Sequence, residues 1–125
     1  MKPEISLVIP VYNEQDNLVP LYEKVLQSLE PADISFEMIL VDDGSSDRSL
    51  DRLRELGDRD PRVVAVELRR NFGQTAAMAA GIDEARGEFV VTLDASIYCF
   101  ENAKAAPIIY QRKEREISLD ETLST

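Results

Sequence analysis

Four short polar clusters mark where this sequence could do chemistry: Tyr12-Asn13-Glu14, Asp42-Asp43-Gly44-Ser45, Arg69-Arg70-Asn71-Phe72-Gly73-Gln74, and Asp94. Taken singly, each reads as an ordinary cap or turn, because Asp, Asn, Ser and Gly are common at the ends of strands and helices. Each follows an apolar run, however, and if those runs are neighbouring parallel strands the clusters converge on one edge. Glu14, Asp43 and Asp94 would then repel one another unless they face a base edge, a ribose diol or a divalent cation. The chain has no histidine, so acid–base and metal chemistry must fall to such carboxylates. Its single cysteine, Cys99, rules out an internal disulfide and cannot make a zinc site, which fits a reducing compartment.

The elements that position these clusters follow from the apolar pattern. Ile5 to Val11 is continuously apolar and β-branched, as in a strand buried on both faces of a parallel sheet. Leu18, Leu21, Val25 and Leu29 then recur at helical spacing, with Asp16 as the expected cap and Pro20 in the first turn. Phe36 to Val41 is a second strand, and Leu50, Leu53 and Leu56 make the inner stripe of a second helix, capped by Ser45, Ser46 or Asp47. Val63 to Leu68 gives a third strand, Thr75 to Ala85 an alanine-rich helix ended by Gly87, and Glu88 to Leu93 a fourth strand. The Ala76, Ala77, Ala79, Ala80 and Gly81 positions read as a tightly packed helix face. This alternation predicts an α/β fold, a doubly wound and mostly parallel sheet with right-handed crossovers, whose ligand sits beyond the carboxyl ends of the strands.

From Ser96 onward the pattern stops. Ser96 to Ala106 shows no period, Pro107 interrupts, and Gln111 to Glu116 is a mixed-charge run suited to a solvated face. The expected organisation is a binding unit over residues 1–95 and a divergent tail over 96–125. Four strands ending at Leu93 leave the fourth as an unpaired edge, which invites a homo-oligomer.

A formal net charge of -10 argues against nucleic acid, which is bound through clustered Lys and Arg. An anionic ligand would need backbone N–H groups, a few placed cations such as Arg69 or Arg70, or a metal. No apolar stretch in the sequence is long enough to cross a bilayer, and the start lacks the apolar region of a signal peptide, so the expected location is the cytoplasm.

Ile9-Pro10-Val11-Tyr12-Asn13-Glu14, Val41-Asp42-Asp43-Gly44-Ser45, Arg70-Asn71-Phe72-Gly73-Gln74 and Val91-Thr92-Leu93-Asp94-Ala95 resemble, in order, the blocks of family 2 glycosyltransferases. The closest resemblance is to polyprenyl-phosphate (dolichyl-phosphate) sugar transferases, over about residues 3 to 95. It implies a GT-A fold that stops after the fourth strand, and sugar transfer from a UDP- or GDP-linked donor to a lipid phosphate with inversion. It also implies a site at the cytoplasmic face of a membrane. By the same resemblance Pro10, Tyr12 and Glu14 line a base and ribose pocket, Val41 and Asp43 stand on its base side, and Asp42 braces the turn. Asp94 and Ala95 complete the nucleotide-sugar set, with Asp94 holding Mg²⁺ or Mn²⁺.

The sequence departs from the family where the metal motif should finish. Ser96 stands where a second Asp is usual and Tyr98 where a Gln is usual, so the metal site is expected to be weakened, since a neutral hydroxyl replaces an anionic ligand. A nucleotide-binding module without turnover is therefore the alternative to an active transferase. A nucleotidyltransferase is disfavoured because Pro10-Val11-Tyr12-Asn13 is not a Gly-rich, Lys- or Arg-bearing loop. A receiver domain is disfavoured because the acidic pair follows the second strand and not the first.

Overall fold

The computed structural model describes residues 2–95 and the backbone of residues 108–111. Strands β1 (Ile5–Val11), β2 (Phe36–Asp42), β3 (Val63–Glu67) and β4 (Phe89–Thr92) alternate with helices α1 (Leu18–Leu29), α2 (Ser49–Arg59) and α3 (Gln74–Glu84), and β5 (Ile108–Gln111) follows. The sheet order is β3-β2-β1-β4-β5. The first four strands are parallel, with Ile5 opposite both Phe36 and Phe89. The chain winds outward from β1 to β3 and then crosses to the other side of β1 for β4. A crevice is expected between the carboxyl ends of β1 and β4, where strand order reverses.

The continuous apolar runs are explained by burial on both faces. Leu7, Ile9 and Val11 of β1 pack with Met38 and Leu40 of β2 against Leu18, Leu21 and Val25 of α1 and Leu53 and Leu56 of α2. Val8, Ile39, Val41 and Val90 face the other way and meet Ala77 of α3. Helix α3 lies close to the sheet because Gly81 lacks a side chain: a Cβ there would stand 2.4 Å from Val8 Cγ1 and 3.0 Å from Val41 Cγ2. The packed face of α3 is narrower than its alanines suggested, since Ala77 and Gly81 are buried while Ala76 and Ala79 are exposed.

Two details differ from the sequence reading. Helix α1 starts with Asn17 and not Asp16 at its cap, and Asn17 spends its side chain on Glu14 instead of on the helix. Strand β4 is not an edge, because β5 pairs with it antiparallel, Phe89 opposite Gln111 and Thr92 opposite Ile108. The backbone groups of β4 thus already have partners, and the edge on this side of the sheet is β5. Pro107 lies outside the described residues. The aperiodic stretch Ser96 to Ala106, Tyr98, Cys99 and the charged run after Gln111 lie outside the described residues.

At the amino ends of the strands a polar cluster ties three elements together. Tyr22 of α1 donates its hydroxyl to Asp60 Oδ2 at 2.7 Å, and Arg62 donates Nη2 to Asp60 Oδ2 at 2.9 Å and Nε to Asp60 Oδ1 at 3.1 Å. The Arg62 hydrogen bonds, opposed by burial and helped by Tyr22, hold the Asp60 carboxyl at about 2, below its ordinary 3.8. A depressed carboxylate stabilises the fold above its unfolded pKa, and that contribution disappears as pH falls through the folded value. We predict that Asp60→Asn costs about 2 kcal/mol at neutral pH. Urea unfolding followed by circular dichroism should show the two proteins converging as pH is lowered from 4 to about 2.

Candidate functional site

Each polar cluster sits at the carboxyl end of its strand, and the loop after β1 is locked to the loop after β2. Asn13 adopts a left-handed conformation, φ 53°, which Asn tolerates better than most residues. In that pose its Oδ1 accepts from Ser46 N at 2.8 Å and from Asp47 N at 3.3 Å, while its own N–H donates to Ser45 Oγ at 3.0 Å. Glu14 N donates to Ser49 Oγ at 2.8 Å, and Arg48 N donates to Gln15 Oε1 at 2.8 Å. Asp47 serves both sides, accepting from Ser49 N at 2.9 Å and from Gln15 N at 3.4 Å, although the cap position of α2 is Arg48, with no side-chain cap bond, and not the expected Ser45, Ser46 or Asp47. Burial raises the pKa of Asp47, but these hydrogen bonds outweigh that and leave it below the ordinary value.

The loop after β3 is held by Asp43. This residue is only 3% exposed, and its carboxylate accepts from Phe72 N at 2.8 Å, from Gly73 N at 3.1 Å and from Asn71 Nδ2 at 3.2 Å. Asn71 Nδ2 also reaches the Asp43 carbonyl oxygen at 3.1 Å. Gly44, at φ +72°, lets the two loops touch: a Cβ there would lie 2.3 Å from Asn71 N and 2.5 Å from Arg70 C. After β4, Leu93 N donates to Val8 O at 3.0 Å, extending the ladder by one residue and bringing Asp94 alongside the end of β1.

These loops enclose a cleft of about 310 Å³, at the small end of the range for ligand pockets. It lies at the β1/β4 switch point. Pro10, Val11, Tyr12 and Glu14 line it from β1, Asp43 from β2, Asn71, Gly73 and Gln74 from the loop before α3, and Asp94 and Ala95 from β4. Six of the seven residues singled out in the sequence are thus brought together: Pro10, Tyr12, Glu14, Asp43, Asp94 and Ala95. Val41 is not in the lining. It is fully buried beneath α3, because β2 alternates and this position faces the helix, so its side chain can serve the cleft only as packing.

The site's electrostatics are partly settled within the protein. Glu14 Oε2 accepts from Asn17 Nδ2 at 2.5 Å, Asp43 is engaged as described, and the side chain of Asp94 is exposed on the cleft wall. Asp42 braces its turn by accepting from Ser45 N at 3.3 Å. Arg69 and Arg70 do not line the cleft, and the Arg70 guanidinium lies over the Phe72 ring, 4.7 Å from its centroid. Among the described residues no group of three or more His, Cys, Asp or Glu could cage a metal ion. Asp94 alone suits a Mg²⁺ ion that takes its other ligands from phosphate and water.

A larger hollow, about 410 Å³, lies at the amino ends of the strands, lined by Lys2, Phe36, Glu37, Arg62 and Arg86 among others. Its arginines are already partnered: Arg62 by Asp60 and Glu30, Arg86 by the buried Glu37. It offers no convergent groups for a ligand.

The model of the family described as Glycosyl transferase family 2 matches residues 6–108. The chain belongs to that family. It is 49% identical over 94 residues to the undecaprenyl-phosphate 4-deoxy-4-formamido-L-arabinose transferase of Edwardsiella ictaluri, covering 74% of this chain and 29% of that protein. It is 42% identical over 118 residues to the dodecaprenyl-phosphate galacturonate synthase of Rhizobium johnstonii, covering 93% of this chain and 34% of that one. The chain thus spans about three-tenths of the length of the curated relatives it matches. Among solved structures it is similar to a mannosyltransferase of Pyrobaculum calidifontis in complex with GDP-Man and Mn²⁺. That match has a TM-score of 0.66 and 26% identity over 76% of this chain and 28% of that one. It is also similar to TarS of S. aureus in complex with UDP, at a TM-score of 0.63 and 25% identity over 76% of this chain and 27% of that one. These neighbours are GT-A glycosyltransferases, and the mostly parallel sheet with helices on both faces is the amino-terminal portion of that family 2 fold.

The residues that sequence reasoning left without a role are those that build the site without lining it. Asn13, Asn17 and Ser49 look like generic cap and turn formers, and their partners lie in other loops. One signal was available for Asn13, since an Asn directly after a buried strand is a candidate for the left-handed conformation. We predict that Asn13→Ala costs about 1–2 kcal/mol, combining lost hydrogen bonds with backbone strain. Asn13→Gly should cost less, because it keeps the conformation and loses only the bonds. Chemical denaturation of the three proteins measures the difference, and equal losses would assign the whole effect to the bonds.

Proposed function

We propose that the cleft holds a nucleoside diphosphate sugar, UDP- or GDP-linked, and that the protein transfers the sugar to a polyprenyl phosphate with inversion at the anomeric carbon. The observation that supports this reading is the convergence of Tyr12, Glu14, Asp43 and Asp94 from three strand ends on one cleft at the switch point. Tyr12, half exposed at the rim, offers a face for a base. Glu14 keeps acceptor capacity for ribose hydroxyls beyond its bond to Asn17. The solved neighbours hold GDP-Man with Mn²⁺ and UDP, and the curated relatives are named for polyprenyl-phosphate acceptors.

In this reading Asp94 holds a Mg²⁺ or Mn²⁺ ion against the donor diphosphate. When bound, the ion supplies positive charge to the leaving group. The Asp94 carboxylate is placed by β4 beside the end of β1, so it meets the diphosphate while Tyr12 and Glu14 hold the nucleoside. A phosphate acceptor is already anionic, and its attack needs no strong general base, which suits a chain without histidine. No helix among the described residues is long and apolar enough to cross a membrane. A lipid acceptor would be met at a membrane surface, which we place at the cytoplasmic face by the resemblance alone.

The second reading, nucleotide binding without turnover, draws on Ser96 standing where the family has a second metal-binding Asp. Calorimetric titration with UDP- and GDP-sugars, with and without Mn²⁺, separates the two. We predict that Mn²⁺ tightens binding at least tenfold, about 1.4 kcal/mol, and that Asp94→Asn removes the gain. Tight binding indifferent to Mn²⁺ would select the binding module, and no binding of either nucleotide would sink both readings.

A further inference from the structure

We propose that Asn71 is a positioning residue of the cleft, acting through Asp43 to fix the loop on which α3 begins. The proposal rests on the donor-site reading above. Residues Arg69 to Phe72 are exposed and belong to neither core cluster, so apolar burial does not hold them. What does hold them is polar: Asn71 Nδ2 spans the Asp43 carbonyl and carboxylate oxygens at 3.1 and 3.2 Å, and the Phe72 and Gly73 amides close on the same carboxylate at 2.8 and 3.1 Å. Gly44 completes the latch by giving the Arg70–Asn71 backbone room to approach.

The consequence reaches the cleft through Gly73. This residue caps α3 in a conformation, φ 103°, that only glycine adopts readily, and its carbonyl accepts from Ala77 N at 3.0 Å. Helix α3 has no side-chain cap, so the position of its first turn is set by where Gly73 is pinned. Asn71, Gly73 and Gln74 make up one wall of the cleft. Releasing the latch should move that wall while both core clusters stay packed. Asp43, in this arrangement, spends two amide bonds and one side-chain bond on the protein, and its contribution to the cleft is the wall it holds.

The test uses the full chain with UDP and GDP as probes, amide hydrogen exchange by NMR, and urea unfolding. In the wild type the Phe72 and Gly73 amides should exchange slowly despite their exposure. Asn71→Ala should speed both at least tenfold and weaken nucleotide binding about tenfold, with a lower urea midpoint as Asp43 loses a partner, while the amides of β1 and β2 stay protected. Gly44→Ala, which presses on the loop from the opposite side, should release the same two amides. Wild-type amides that exchange freely, or released amides with unchanged nucleotide affinity in Asn71→Ala, would overturn the proposal. If the wild type binds neither nucleotide, the donor-site reading fails and the positioning role falls with it, whereas wild-type binding matched by Asn71→Ala removes the positioning role alone.

Discussion

A carboxylate buried at the end of β2 is the constraint from which the site follows. Asp43 is 3% exposed, and a charge in that position costs several kcal/mol unless hydrogen bonds replace its water. The nearest donors in sequence are its own turn, but Gly44 sends the chain away at positive φ, and the donors that reach the carboxylate come from the loop after β3, 28 to 30 residues on. Satisfying one buried charge therefore brings two distant loops into contact. The Asn13 clamp does the same for the loops after β1 and β2. Three strand ends are joined by these two connections, and the fourth is carried alongside by the β1–β4 ladder.

The same logic explains why the architecture was readable from the sequence and the site's internal wiring was not. Strands such as Ile5–Val11 and Phe36–Asp42 are buried on both faces and write that burial directly into a run of apolar residues. Their polar ends were equally visible, and alternation with helices was enough to place them on one edge. Hydrogen-bond partners carry no such local mark. Glu14 was read as a ligand group, and its bond to Asn17 takes up the side chain of the residue that stands at the α1 cap, where Asp16 was expected. Val41 was grouped with its neighbours in the chain, but it is fully buried beneath α3 and does not reach the cleft. Strand β5 was missed because Ile108–Gln111 is short and lies in a stretch without period, and it is fixed by pairing with β4 instead of by a pattern of its own.

The chain's acidity has a bearing on how such a site can accept an anion. With a net charge of -10, and with Glu14, Asp43 and Asp94 on the cleft walls, long-range attraction of a diphosphate is not available. Glu14 and Asp43 are engaged within the protein, Glu14 by Asn17 and Asp43 by Asn71 and two amides. The cleft is therefore less repulsive than its composition suggests. Asp94, exposed at the end of β4, is the carboxylate best placed to take a cation, and a cation is what would reconcile an acidic cleft with a diphosphate.

That division of labour also accounts for the aromatic and basic residues at the rim. Arg70 stacks on Phe72 and does not enter the cleft, so the nearby positive charge is held outside, over an exposed ring. Tyr12 and Phe72 are about half exposed, on loops that Asn13 and Asp43 respectively hold in place. On the proposed function these exposed rings offer a surface for a ligand's planar or apolar parts. The polar wiring beneath supplies the rigidity and the rim supplies the contact surface. Because the rim lies outside both core clusters, its residues can change without disturbing the sheet that carries them.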